Sequence, residues 1–345
     1  MHVVGLDIGG ANLKAADAEG RALTRPFAVW KSPDRLAAEV DRLLAGFPKP
    51  DSIAVTMTAE LADCYRSKRE GVDAILSAVE LAAGDVPVSV WQTSGCLVNP
   101  REARASPALT AAANWHALAT FIGPHAPVGG SLLIDIGTTT CDLIPLEDGI
   151  PIPVGRTDRE RLQSGELVYT GVRRTPVCAV VGAVPFRGGD CAVMAELFAT
   201  TLDVYLTTGE LLEDAADLET ADGRPATVAA ARDRLARCIG CDSEEFTQED
   251  AATAAEGIAA AQRRHIRRAL DAVLDSHDFS PNRVFLSGVG SFLARQIVQS
   301  CPQLADAETV SLLEIFGPGI AEAACAFAVA RLAVERAERN GSGSL

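Results

Sequence analysis

Two stretches of the chain repeat one pattern: Gly5-Leu6-Asp7-Ile8-Gly9-Gly10-Ala11-Asn12-Leu13-Lys14 and Leu133-Ile134-Asp135-Ile136-Gly137-Thr138-Thr139-Thr140-Cys141-Asp142. Each reads as an apolar run, an Asp, an Ile, a Gly, a few small residues and a second run. An apolar run that ends in glycine predicts a strand reversing tightly into another strand. The pattern is neither Walker A, which needs Gly-Lys-Ser/Thr, nor the dinucleotide fingerprint, in which the turn opens a helix. Glycine lets backbone N–H groups approach an anion, and an Asp at the strand end can hold a divalent cation. Each turn therefore has the chemistry of a phosphate cradle, and two facing cradles would clamp one polyphosphate. Gly9, Gly10 and Asn12 are the candidate phosphate residues of the first turn; Gly137, Thr138, Thr139 and Thr140 are those of the second. Asp7 and Asp135 are the candidate metal ligands, and Lys14 is placed to reach a phosphate.

Around these hairpins the pattern alternates. Strands are expected over 22–30, 52–56, 88–91 and 283–286. Helices are expected over 33–44, 71–83, 107–122, 225–239, 248–276 and 318–339. Such alternation reads as α/β. The Gly- and Pro-rich stretch 123–130 is the clearest break, and 345 residues suit two domains.

Composition narrows the function classes. With 48% hydrophobic and 22% charged residues the chain has the material for a core, which excludes wholesale disorder. A net charge of −15 disfavours a nucleic-acid partner. No uncharged apolar run reaches the roughly 18 to 20 residues of a membrane helix. The N-terminal residues have no secretory pattern, so a cytoplasmic location is expected. The nine cysteines are an odd, scattered set, as expected of reduced thiols. Cys238-Ile239-Gly240-Cys241 is a lone C-x-x-C without a second pair and reads as structural. Arg263, Arg264, His265, Arg267 and Arg268 read as an ion-paired helix face, and Trp91 and Trp115 as core.

Two further elements complete the set. Val284-Phe285-Leu286-Ser287-Gly288-Val289-Gly290-Ser291 is a buried strand entering a Gly-rich turn and a helix, which makes Gly288 and Gly290 candidates for an anion or nucleoside contact. The second is a helix of small residues over 317–330. In this order the four elements resemble the superfamily of actin, the heat-shock chaperone ATPases and the sugar kinases. The resemblance implies an α/β, two-domain fold with a central interdomain cleft. The first domain would comprise 1–125 plus 316–340, the second 126–315, and 341–345 would be a mobile tail. The C-terminal helix would pack back on the first domain.

A narrower resemblance rests on VTMTAELADCYRSKREGV from Val55, AAANWHALA from Ala111 and YTGVRRTPVCAV from Tyr169. These segments resemble the hydantoinase/oxoprolinase-related proteins of the tetrahydromethanopterin-linked one-carbon pathway. The resemblance implies a transferase of methanofuran-type cofactor biosynthesis. It would join an aminomethylfuran diphosphate to the phenol of tyramine or its γ-glutamyl derivative, forming an aryl ether and releasing diphosphate. Glu60 or Asp63, both inside the first matched segment, is the candidate base for the phenol proton. Arg173 and Arg174, in a loop flanked by Gly and Pro, are candidate phosphate forks. The partners are then a small diphosphate and a phenolic amine, with a homo-oligomer left open and Mg2+ or a similar hard cation as cofactor. Two other classes stay open: an ATP-dependent kinase, ligase or hydantoinase-like enzyme, and a nucleotide-binding sensor or assembly module. ATP enters only with these alternatives.

Overall fold

The computed structural model describes residues 1–277 and 280–342. Residues 343–345 of the expected tail lie outside the described residues. Among the described residues the first sheet contains β1 (Val3–Ile8), β2 (Asn12–Asp17), β3 (Ala22–Pro26), β4 (Ser52–Met57), β5 (Val88–Trp91) and β6 (Leu97–Val98), in the order β3-β2-β1-β4-β5-β6. β2 runs antiparallel to β1, whereas β4 and β5 run parallel to it. The second sheet contains β7 (Gly130–Ile136), β8 (Cys141–Glu147), β9 (Ile150–Pro151), β10 (Leu167–Val168), β11 (Arg283–Ser287) and β12 (Glu308–Ser311). Its order is β10-β8-β7-β11-β12, with β9 beside β8. Here too the hairpin partner β8 is antiparallel to β7, and β11 and β12 follow in parallel. A further short hairpin joins Ala183–Phe186 to Gly189–Ala192.

The central strands are mostly apolar because both of their faces are covered. Val3, Val4, Leu6 and Ile8 of β1, and Leu132, Leu133, Ile134 and Ile136 of β7, are fully buried. The last helix, Ala324–Ser342, lies on β1, β2 and β4 and on the helix Asn114–Ile122. Its approach depends on Gly5, where a Cβ would overlap the Ala326 carbonyl oxygen. Ala326 and Ala330 present the matching small surface, so two backbones meet at a distance that larger residues would forbid.

Two expectations need correction. The single helix expected over 318–339 is two, Leu312–Glu322 and Ala324–Ser342, whose axes bend by 98°. Gly317, at φ +77°, puts a second break inside the first of them. The helix expected over 107–122 is likewise split into Pro107–Thr110 and Asn114–Ile122, with Ala112 at φ +47° between them. In both places apolar periodicity continues across a backbone that turns. Among the described residues no single helix is long and apolar enough to cross a membrane.

Candidate active site

The two repeats are one hairpin in register as well as in sequence. Asp7 pairs with Lys14 and Ile8 with Leu13; Asp135 pairs with Asp142 and Ile136 with Cys141. The turns close alike, Gly9 N–H donating to the Asn12 carbonyl at 3.0 Å and Gly137 N–H to the Thr140 carbonyl at 2.8 Å. A Cβ on Gly9 would lie 2.8 Å from the Asn12 oxygen, whereas one on Gly10 would meet nothing within 4 Å. The face of the first turn at Gly10 is therefore open.

Asp7 and Asp135 stand just before these turns. Burial raises the Asp7 carboxyl to about 6, opposed by the charge of Lys14. Burial also raises Asp135 to about 6, with Asp142 and Asp7 pushing the same way and Lys14 and the Ser287 hydroxyl opposing. Carboxylates from both sheets thus feel each other and one shared lysine. Asp7 Oδ1 is buried and has no hydrogen-bond partner, a costly state for a carboxylate that a bound cation would relieve. Lys14 Nζ donates to the Glu322 carbonyl at 2.7 Å, satisfying an end carbonyl of the helix Leu312–Glu322 while its charge serves the two acids.

The third turn, expected as an anion contact, lies close against β7. Gly288, at φ +81°, is so close to β7 that a Cβ would overlap the Ile136 carbonyl and lie 2.6 Å from Asp135 Oδ1. A Cβ on Gly290 would lie 2.5 Å from Ile136 Cγ2, and the Gly290 N–H donates to the Ile136 carbonyl at 2.8 Å. That N–H is engaged within the fold. These glycines let the turn close against Asp135 and help to bury it.

The loop 171–174 is fastened to the second turn. Val172 N–H donates to the Gly137 carbonyl at 3.1 Å, and the N–H groups of Arg173 and Arg174 donate to the Thr138 carbonyl at 3.1 and 3.0 Å. A Cβ on Gly171 would overlap the Thr139 nitrogen. Gln262, from the long helix Gln248–His277, holds this loop from behind: Nε2 donates to Thr170 Oγ1 at 2.8 Å and to the Gly171 carbonyl at 2.9 Å, while Oε1 accepts from Tyr205 at 2.6 Å. Arg173 is paired with Asp217 at 2.5 Å. Arg174 is exposed, with its guanidinium 4.8 Å from the Trp30 ring centroid.

The loop after β4 meets the first turn, since the N–H groups of Thr58 and Ala59 donate to the Ile8 carbonyl at 2.9 and 3.1 Å. It carries Glu60 inward, 1% exposed, and leaves Asp63 exposed. Burial raises the Glu60 carboxyl to about 7; Asp158 adds to this, while the backbone N–H groups of Glu60 and Ala112 and the charge of Lys68 oppose it. Glu60 Oε2 has no hydrogen-bond partner. The helix Lys68–Ala83 presses on this residue through Gly71, where a Cβ would overlap the Glu60 carbonyl. Lys68 reaches Asp158 at 3.4 Å, so a charge pair bridges the two halves beside the buried acid.

Several groups here carry no sequence signal of their own. Arg161 is buried, donates to Asp142 Oδ1 at 2.9 Å and to the Glu166 carbonyl at 3.0 Å, and lies 4.0 Å over the Trp115 ring. His116 is held down to about 4 by burial, then by Arg156 and Arg161. Trp91 and Trp115 are buried core residues, as expected. Asp142 had a signal: it holds in the second repeat the place that Lys14 holds in the first. Cys238 is buried and Cys241 half-buried, both as free thiols. Among the described residues, the group of three His/Cys/Asp/Glu side chains with ligand atoms within 4.8 Å of one another is His2, Asp17 and Glu19, at the far end of the β1–β2 hairpin from Asp7.

A family model of hydantoinase/oxoprolinase proteins matches residues 51–336. The chain belongs to this family. It is 31% identical over 336 residues, 96% of this chain and 97% of the relative, to the Methanocaldococcus jannaschii protein named (4-{4-[2-(gamma-L-glutamylamino)ethyl]phenoxymethyl}furan-2-yl)methanamine synthase. A Methanococcus vannielii protein of the same name is 25% identical over 206 residues, 58% of this chain and 89% of that relative. The relatives of this hydantoinase/oxoprolinase member are thus named as synthases. Among solved structures, a nucleotide-free acetone carboxylase matches 96% of this chain and 70% of its own at 12% identity and TM-score 0.54. At 13% identity and TM-score 0.47, the activator of the 2-hydroxyisocaproyl-CoA dehydratase from Clostridium difficile matches 100% of this chain and 98% of its own. The architecture is α/β with two mixed sheets, a fold shared with the acetone carboxylase.

Proposed function

We propose that the protein is a transferase that joins an aminomethylfuran diphosphate to tyramine or γ-glutamyltyramine; the name of its 31% identical relative, a synthase of a phenoxymethylfuran methanamine, supports this reading. The observation that carries the reading is that Asp7 and Asp135, two buried carboxylates from two matching turns, share the charge of Lys14, with a buried acid, Glu60, in the loop fastened to the first turn.

The donor set fits a hard cation. Asp7 Oδ1 is an orphaned buried oxygen, and two carboxylates supply the hard ligands that Mg2+ combines with phosphate and water oxygens. Asp7 and Asp135 would hold such an ion, which when bound would offset negative charge growing on the diphosphate. The open face at Gly10 and the turn Gly137 to Thr140 would receive phosphate oxygens, and Arg174 would add a guanidinium at their rim. Glu60 is the better base of the two acids: it is buried, its Oε2 has no partner, and its affinity for a proton lies near neutrality. In the reaction the phenol oxygen bonds to the furanylmethyl carbon as the bond from that carbon to the diphosphate oxygen breaks. The phenol proton passes to Glu60 and diphosphate leaves with the bonding electron pair.

The test is to supply synthetic aminomethylfuran diphosphate and either phenolic amine with Mg2+ and no nucleotide. Ether and diphosphate should form one for one. A strict requirement for ATP, with ADP appearing in step with product, would replace this reading by the kinase or ligase alternative.

A further inference from the structure

Four contacts outside the acidic centre form one chain between the two turns. The short 3-10 turn Val29–Lys31 hangs from the first: Phe27 N–H donates to the Ala11 carbonyl and Val29 N–H to the Gly10 carbonyl, both at 2.9 Å. The loop carrying Arg174 hangs from the second, through its own N–H on the Thr138 carbonyl at 3.0 Å. Between these anchors the Arg174 guanidinium lies 4.8 Å from the centroid of the Trp30 ring. Trp30 is half-buried, whereas Trp91 and Trp115 are buried in the core. An Arg on an aromatic face keeps its in-plane N–H groups free, so it can hold the ring and donate to an anion together.

We propose that Trp30 is a positioning residue for Arg174, and that the pair is a clasp joining the two turns and holding the guanidinium where the terminal phosphate of the ligand sits. The ligand class rests on the diphosphate reading above; the clasp itself rests on the four contacts. Without the ring, Arg174 keeps its charge but loses its direction, and the two turns lose a tie outside the protein core.

The probe is inorganic diphosphate with Mg2+, titrated calorimetrically into the full chain and into Trp30→Leu, Trp30→Phe, Arg174→Ala and the double variant Trp30→Leu/Arg174→Ala. Trp30→Leu should weaken binding roughly 3- to 30-fold, the range expected for one cation–π contact. Trp30→Phe should recover most of the loss, and the double variant should bind no more weakly than Arg174→Ala alone. Wild-type affinity in Trp30→Leu, or losses that multiply in the double variant, would overturn the clasp. If the wild-type chain binds no diphosphate, the diphosphate reading fails, and thermal unfolding of the same four variants without ligand decides the clasp. Non-additive losses there support it and additive ones overturn it.

Discussion

Lys14 donates from Nζ to the carbonyl of Glu322 at 2.7 Å, and its charge lowers the proton affinity of both Asp7 and Asp135. One side chain thus ties β2 to the end of a distant helix and offsets part of the repulsion between two buried acids. The arrangement stays strained in charge, because burial outweighs the lysine at both carboxylates.

That imbalance has a measurable sign. The folded-state value of Asp7 is about 6 against 3.8 for a free carboxyl, so the folded chain binds the proton more tightly between these limits. Stability therefore falls as pH rises from about 4 to about 6, by about 3 kcal/mol for this one group, and stays lower above. Asp7→Asn should raise Tm by a few degrees at pH 8 and leave it unchanged at pH 3.5. The same exchange should lower the proposed ether-forming activity roughly 100- to 1,000-fold. Added Mg2+ should raise Tm of the wild-type chain at pH 8, and Asp7→Asn/Asp135→Asn should abolish that rise.

Glu60 should govern the rate at low pH. Its carboxyl releases the proton at about 7, so kcat/KM for the phenolic amine should climb through that pH to a plateau as the carboxylate forms. Glu60→Gln should lose roughly 100- to 10,000-fold and the ascending limb with it. An Asp63→Asn variant should keep both, because Asp63 points to solvent.

Gly71→Ala should act on the same base through packing. The new methyl group would overlap the Glu60 carbonyl, so the helix Lys68–Ala83 has to shift. A loss of about 1 to 3 kcal/mol is expected from overpacking. Chemical denaturation would read that loss, and a fall in kcat larger than the change in KM would show that Glu60 has moved.

Gln262→Leu should disconnect the loop 171–174 from its support. It leaves the Tyr205 hydroxyl without its partner, at about 1 to 3 kcal/mol for that unsatisfied group, and takes one donor from the Gly171 carbonyl, which keeps Thr201 Oγ1 at 2.8 Å. The expected phenotype is lower stability and a raised KM for the diphosphate substrate, with a smaller change in kcat.

The hairpins, their glycine turns and the α/β alternation were legible in the sequence because each depends on neighbours only a few residues away. Strand, Asp, Ile and Gly recur in both repeats, and both fold with matching register. What lay beyond the sequence was the environment of each acid. Glu60 and Asp63 stand three residues apart with the same chemistry, and tertiary packing, including the close approach of Gly71 to the Glu60 backbone, buries the one while the other remains in water. The apolar pattern over 318–339 runs unbroken through a bend of 98°, since periodicity records burial and not chain direction. Gly288 and Gly290 read as an anion turn by composition, and only the tertiary structure sets them against Ile136 and Asp135. Arg161 carried no local mark at all; its partners Asp142 and Trp115 come from other elements, and long-range packing alone decides that a guanidinium is buried between them.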